Sequence, residues 1–507
     1  MSRLARRAAL LAAVSTLIAA PVAISAPSTD SSALREAVTT GGIMEHLEAF
    51  QTIADENDGV RASGTSGYDA SVDYVVSQLD PSYFDIEVQE FQFDVFRELA
   101  PAELEQISPT ATVYDNEDPD AVVYTMEYSG SGDVTGTLVA TNDIVIPPGA
   151  EASTSSSGCE LADYPTAPTE PAIALVQRGT CDFRVKAELA EQAGYEAIII
   201  FNEGQEGRQE TLNGTLSADN TSTIPAVGVD FATGEALYNL LQSGEEVTMR
   251  VATSGEILVD QTTYNVIATT KTGREDRAVV VGAHLDSVYE GPGIQDNGSG
   301  SATILEIAQE MAEAGVEPVN QVRFAWWGAE ESGLIGSQYY VDSLTKQEQK
   351  DIAVNLNFDM IASPNFVRFV YDGSTGSTGS GVVENVFAGY FSSVGLEFEP
   401  TEFDGRSDYD AFISVGIPAG GLFTGAEGIK SEQEAAIYGG TAGIAYDPCY
   451  HLACDDIDNI NLEALDQMSD AAVHAVLVFA MTKSAIEGTA RGKGHYDAEF
   501  TAGHARK

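Results

Sequence analysis

Basic residues are scarce in this 507-residue sequence: Lys and Arg number 25 against 78 Asp and Glu, a formal net charge of −53. Such a surface repels polyphosphates, which excludes nucleic acid as a partner. The acidity does not signal disorder, because a hydrophobic content of 43% with 20 Phe and 20 Tyr belongs to a folded chain. A chain this long holds more than one domain. Long apolar runs are missing beyond the N-terminus. The run from Ala8 to Ala20 follows Arg3, Arg6 and Arg7 and precedes Ala23, Ser25 and Ala26. That is the layout of an export signal over residues 1–26, too short to span a bilayer comfortably. The expectation is a secreted or periplasmic protein with no membrane association after signal cleavage. Cysteine is limited to four residues with no C-x-x-C spacing, which argues against a cysteine metal site. Cys449 with Cys454, and Cys159 with Cys181, read as local disulfides suited to an oxidising compartment. Histidine is limited to six, and His46, His474, His495 and His504 lie on helical or polar tail segments without nearby ligands.

What the sequence does contain is concentrated in VVVGAHLDSVYEGPGIQDNGSG, residues 279–300. Val279, Val280 and Val281 form the β-branched run of a central strand covered on both faces. Alternation along a continuing strand puts His284 and Asp286 on one side. A carboxylate so placed suits a metal-binding imidazole whose other nitrogen is held by an acid. A loop through Gly291, Pro292 and Gly293 leads to Asp296, and a helix is expected to start just after Ser299 to Ser301. VRFAWWGAEESGLIGSQYYV, residues 322–341, reads as a strand ending in Glu330 and Glu331, then a helix from about Gly333. Adjacent carboxylates there can divide labour, one binding metal and one handling protons. AVNLNFDMI, residues 353–361, reads as a strand ending in Asp359. Asp359 alone would read as a cap or turn former. In company, three strand ends bring His284, Asp296, Glu330, Glu331 and Asp359 to one edge of an α/β sheet, where such sheets place their sites. The last candidate is His451 in YDPCYHLACDD.

Mixed imidazole and carboxylate donors suit zinc or a related first-row ion, whereas calcium and magnesium take oxygen. The set exceeds what one catalytic zinc uses and suffices for two ions sharing a carboxylate. Asp466 and Asp470 share a helix face and form a weaker calcium (Ca2+) candidate, set against the simpler reading of solvated acids.

The flanking sequence organises around these segments. Residues 31–95 carry two helical faces, with Ile43, Leu47 and Phe50 on one and Tyr68, Val72 and Val75 on the other, followed by alternation in Phe84, Ile86, Val88 and Phe91. Between about 123 and 250 the texture changes to short strands, at 136–140, 172–176 and 197–201, and a helix at 184–194, separated by loops rich in Ser, Thr, Pro and Gly. There PAIALVQRGTCDFRVKAELAEQAGYEAIIIFN, residues 171–202, resembles a protease-associated (PA) domain. The resemblance implies a mainly-β insert near an active-site entrance; an insert that only stabilises is the competing reading. Residues 487–507, rich in Gly, Ala and charge, read as a disordered tail.

Six segments then occur in order: GAHLDS (282–287), QDNGSG (295–300), WGAEESGLIGS (327–337), NFDM (357–360), FDGRSDYDAF (403–412) and DPCYHLACDD (447–456). Their order and intervals resemble the M28 family of co-catalytic dizinc aminopeptidases, its secreted bacterial members closely. The resemblance implies a discontinuous peptidase domain, 31–122 and 251–486, around a PA insert at 123–250. It implies a three-layer α/β/α sandwich with a mixed sheet, the zinc exopeptidase fold, acting on peptide or protein N-termini. By the same resemblance Asp296 bridges two Zn2+ ions, His284 and Asp359 complete one ligand set, and Glu331 and His451 the other. Glu330 matches the general base, Tyr450 a residue that stabilises the tetrahedral oxyanion, Arg406 one that holds substrate, and Asp286 the partner of His284. Met360 and Phe423 are candidates for an apolar side-chain pocket, with Leu, Met or Phe as the family-level preference. A carboxypeptidase or other hydrolase on this scaffold, and a non-catalytic binding protein, are the alternatives; the complete ligand and base set argues against the last. A monomer is the slightly favoured assembly.

Overall fold

The valine run lies in the strand Arg274–His284, which is buried from Ala278 to His284. In this computed structural model, residues 30–116, 121–167, 171–205 and 208–483 are described; the expected export signal, the C-terminal tail, His495 and His504 lie outside them. Arg274–His284 pairs in parallel with Asn320–Trp327 on one side and Ile352–Phe358 on the other. Ile352–Phe358 pairs in parallel with Ala419–Phe423 in turn. The carboxyl ends of these strands therefore share one edge of the sheet. Alternation sends Val279 and Val281 to one face, against Ile43, Leu305 and Val476 of the helices Thr40–Glu56, Ser299–Glu313 and Leu462–Met481. Val280 points the other way, against Trp327, Tyr340 and Phe412. Helices thus cover both faces of a mixed sheet, the three-layer arrangement expected.

The strand expected at Phe84 to Phe91 runs on to Ser108 and pairs antiparallel with Thr248–Thr270 along its length. This ribbon joins two bodies. At one end Val266 to Thr269 pair with Trp326 to Arg323 of the central sheet; at the other, Thr248 to Thr253 pair with the strand Gly132–Ala140 of the insert. The insert adds parallel strands Ala172–Gln177, Ala197–Phe201 and Ala226–Val229, with the helices Phe183–Gln192 and Phe231–Gln242, and has cores of its own. Alternation concealed the ribbon's length because bulges at Phe93/Val95 and Glu98/Ala100 shift the register, and Leu99, Ile257 and Val259 in its middle are exposed. The helix expected from Gly333 starts at Ile335, after a turn in which Leu334 takes a positive φ of 61°.

Both expected disulfides, Cys159–Cys181 and Cys449–Cys454, are formed. Asp466 and Asp470, the weaker calcium candidate, each have partners within the chain. Asp470 Oδ2 accepts from Arg35 Nη1 and from the Tyr390 hydroxyl, each at 3.0 Å, while Asp466 Oδ1 accepts from Thr40 Oγ1 at 3.0 Å. Each acid tethers the last long helix to a neighbouring helix. His46 packs between the Tyr74 hydroxyl, Gln309 Oε1 and Glu306, and His474 meets Ser31 Oγ.

One buried cation ties the N-terminal segment to the loop between His284 and Asp296. Arg61, with no exposed surface and lying over the Phe50 ring, donates from Nε to Pro292 O at 2.9 Å, and from Nη1 and Nη2 to Leu285 O and Gly293 O at 2.6 Å each. A planar guanidinium suits three carbonyls converging from one loop. Burial pushes its pKa down to about 10, with Asp286 and Asp455 opposing that shift. Replacing Arg61 by Met leaves the buried carbonyls of Leu285 and Pro292 without donors, while Gly293 O keeps the amide of Gly298, and a loss of about 3 kcal/mol or more is expected from urea unfolding. A loss below about 1 kcal/mol would mean that the loop holds itself.

Candidate metal centre and active site

His284 ends its strand, Asp359 follows Phe358 directly, and Glu330 and Glu331 lie just beyond Trp327. Asp296 sits in the turn Ile294–Gly298 that leads into the helix Ser299–Glu313, and its peptide bond to Asn297 is cis. His451 lies on the loop that the Cys449–Cys454 disulfide closes. Three non-glycine residues here have positive φ: Ala329 at 53°, Met360 at 52° and His451 at 58°. Such backbone persists where its surroundings over-determine it, and it collects at functional sites. Ala329 N donates to Ser63 Oγ at 2.7 Å, Glu330 N to Asp286 Oδ1 at 3.2 Å and Met360 N to Asn297 Oδ1 at 3.2 Å.

The candidate donors converge on Asp296. Its Oδ1 is 3.2 Å from His284 Nε2 and its Oδ2 is 3.4 Å from His451 Nε2. His284 Nε2 is also 3.3 Å from Asp359 Oδ1, and His451 Nε2 is 3.2 Å from Glu331 Oε2. Two trios therefore meet at one carboxylate. Donor atoms of His284, Asp296 and Glu331 lie within 4.8 Å of one another, as do those of His284, Glu330 and Asp359. Glu330, expected as a base, thus lies close enough to count as a donor, but unlike Glu331 it forms no ion pair with either ring among the described residues.

Asp286 meets His284 differently from the expectation. The strand stops at His284, so the two side chains do not simply alternate onto one face. His284 Nδ1 instead faces the backbone carbonyl of Asp286 at 3.1 Å, with the carboxylate at 3.7 Å.

Negative charge dominates the site. Burial works against ionised His284 and His451, yet their neighbours outweigh it and both pKa values stand well above the ordinary range: Asp359 and Glu330 act on His284, Tyr450 and Glu331 on His451. Burial raises Glu330 well above a usual carboxylate and pushes Glu331 up to about 7, with His451 opposing the second shift. Asp408, behind them, is pushed up to about 7 by burial. Asp296 stays low despite burial because it contacts both rings. Glu331 Oε1, Asp359 Oδ1, Asp286 Oδ2 and Asp408 Oδ1 are buried and accept no hydrogen bond. Orphaned oxygens beside two imidazoles fit divalent cations of the zinc type.

A cavity of about 260 Å³ opens onto these groups. Met360 and Phe423 line it, together with Phe369 and Tyr446, which carried no distinguishing signal in the sequence. Arg406 and Tyr450 line it too. The Tyr450 ring stacks on His451 at 3.8 Å between centroids, and its hydroxyl accepts from Arg406 Nη2 at 3.2 Å. Arg406 also pairs with Glu427 at 2.7 Å.

Ser407 and Asp408 stand inside FDGRSDYDAF but had no assigned role. Ser407 Oγ donates to Asp359 Oδ2 at 2.5 Å and accepts from Asn357 Nδ2 at 2.7 Å, a contact between segments that periodicity cannot foresee. Ser407→Ala breaks both bonds inside the core, so the metal-free protein is expected to lose about 1–3 kcal/mol in urea unfolding. An unchanged midpoint would show that Asp359 is held by other means.

The sequence profile of peptidase family M28 matches residues 265–476, and that of the PA domain matches residues 134–237. An aminopeptidase of Pseudomonas aeruginosa is 44% identical over 446 residues, covering 86% of this chain and 80% of that protein. A probable leucine aminopeptidase 2 of Aspergillus fumigatus is 39% identical over 448 residues, covering 87% and 83% respectively. The solved structure of an aminopeptidase from Aneurinibacillus sp. strain AM-1 superposes with a TM-score of 0.69 at 26% identity, over 91% of this chain and 98% of that one. Likeness at this level spans the sheet, the convergent loops and the insert together, so the chain belongs to peptidase family M28 and carries a PA domain ahead of the stretch that the family profile matches.

Proposed function

We propose that this protein is an exported, zinc-dependent aminopeptidase that removes apolar residues from the amino ends of peptides and proteins. The observation that carries the reading is the two-sided contact of Asp296, one oxygen toward His284 and the other toward His451. On this reading Asp296 is the shared ligand of two Zn2+ ions, with His284 and Asp359 on one side and Glu331 and His451 on the other. Zinc bound there supplies Lewis acidity, polarising a carbonyl and readying water as a nucleophile near neutral pH.

The chain's own groups do the rest. Glu330 lines the cavity and makes no ion pair with either imidazole among the described residues, so its carboxylate is placed to take a proton from the attacking water and pass it to the leaving amine. The Tyr450 hydroxyl and the Arg406 guanidinium present donors to the carbonyl oxygen as it gains charge and to the bound substrate. The surrounding acids favour a free ammonium over a blocked amine. The apolar wall of Met360, Phe369 and Phe423, together with the name of the leucine aminopeptidase relative, supports a preference for apolar first residues. Asp286 acts through its carbonyl on His284 and through its carboxylate on the backbone of Glu330.

We assign the peptidase domain to 31–122 and 251–486 and the PA domain to 123–250; separate cores support two bodies, with Ala102, Leu104 and Val251 of the ribbon's outer end packing against the insert. Export is supported by the two disulfides. Among the described residues no helix is long and apolar enough to cross a membrane.

Leucine p-nitroanilide should be cleaved, its N-acetylated counterpart should not, and a chelator should abolish turnover until zinc is restored. Cleavage of the blocked substrate alone would favour a carboxypeptidase or endopeptidase instead. Glu330→Gln is expected to retain zinc, by metal analysis, while kcat falls by about 100-fold or more. Normal turnover in that variant would remove Glu330 from the proton-handling role.

A further inference from the structure

The backbone around Asp296 is gripped from two sides. On one side Arg61 gathers the carbonyls of Pro292 and Gly293. On the other, Asp455, 2% exposed, accepts from Gln295 N through Oδ1 at 2.9 Å and from Asp296 N through Oδ2 at 3.0 Å. The backbone carbonyl of Asp455 also accepts from Ile294 N at 3.0 Å. Asn459 Nδ2 steadies the carboxylate, donating to Asp455 Oδ1 at 3.0 Å and to Asp447 Oδ1 at 3.0 Å. Consecutive amides thus face a buried carboxyl group while the carbonyls before them face a buried cation. The two oxygens of Asp455 meet this demand with one acceptor per amide, whereas an Asn would turn donor hydrogens toward one of the two.

Asp455 directly follows Cys454, and His451 lies within the same disulfide-closed loop. We propose that Asp455 is a positioning residue for Asp296, so that this loop shapes the metal centre twice: directly through His451, and through Asp455 by fixing the backbone beneath the shared aspartate. The inference rests on the reading of Asp296 as the shared ligand. Asp455 touches neither substrate nor metal; it acts through the direction in which Asp296 points, as groups behind metal ligands do elsewhere.

The test is zinc binding by the full-length protein, stripped with chelator and titrated back against a chromogenic competitor, with the melting temperature of the stripped protein measured alongside. Wild type is expected to take up two equivalents, and Asp455→Asn to bind zinc about 10–100-fold more weakly while still melting cooperatively. A lowered melting temperature with unchanged zinc affinity marks a merely structural residue and overturns the inference, as does a variant identical to wild type in both. If wild type takes up one equivalent or none, the shared-ligand reading itself fails, which is a distinct outcome. Should Asp455→Asn not fold, Asn459→Ala carries the test, since it leaves both amide bonds but removes the donor that steadies the carboxylate. Weaker zinc binding in that variant supports the inference, and wild-type affinity overturns it.

Discussion

Packing several carboxylates around two imidazoles away from water is the constraint that the rest of this structure serves. Left to themselves, Asp286, Asp296, Glu330, Glu331, Asp359 and Asp408 would repel one another and seek solvent, because a buried unpaired charge is among the most costly features a fold can carry. They stay together because the scaffold holds their backbone and their outer oxygens. Asp286 secures the amide of Glu330, Ser63 the amide before it, Ser407 the far oxygen of Asp359, and Asp455 the amides at Asp296. Positive φ at Ala329, Met360 and His451 falls at the same places, where a relaxed backbone would point the groups elsewhere. Cations of the zinc type would offset the charge that the two rings alone must balance.

Two kinds of element share the task. Parallel strands deliver His284, Glu330, Glu331 and Asp359 from one rigid edge, so their spacing follows from strand register. His451 and Asp455 come instead from a loop with no regular secondary structure at the histidine, made stiff by a disulfide spanning five residues of sequence. Arg61 and Ser63 belong to a third segment, before the insert in sequence, so part of the support for the site is drawn from the far side of the PA domain. The antiparallel ribbon Phe84–Ser108 with Thr248–Thr270 is what allows a whole domain to enter between these parts without displacing them. Its outer end belongs to the insert, and its inner end remains within the central sheet.

Much of this was legible beforehand. The buried valine strand, the acid at each strand end and the helix after Asp296 are local patterns whose periodicity survives in the fold. Six ordered segments identified the family, and close cysteine spacing anticipated both disulfides. The errors are equally physical. Alternation was carried past His284, where the strand ends, so Asp286 presents its carbonyl to the ring, and bulges broke the alternation of the ribbon.

The amino-acid sequence by itself determined the family, the layered architecture and the identity of the candidate donors, because these depend on residue type, order and short-range period. Only the tertiary structure decided that Asp296 faces both histidines, that Phe369 and Tyr446 join Met360 and Phe423 around the cavity, and that Arg61, Ser407 and Asp455 hold the site in place. Those arrangements are contacts between residues tens to hundreds of positions apart, and the direction of a side chain or an amide is set by whatever the completed fold packs against it.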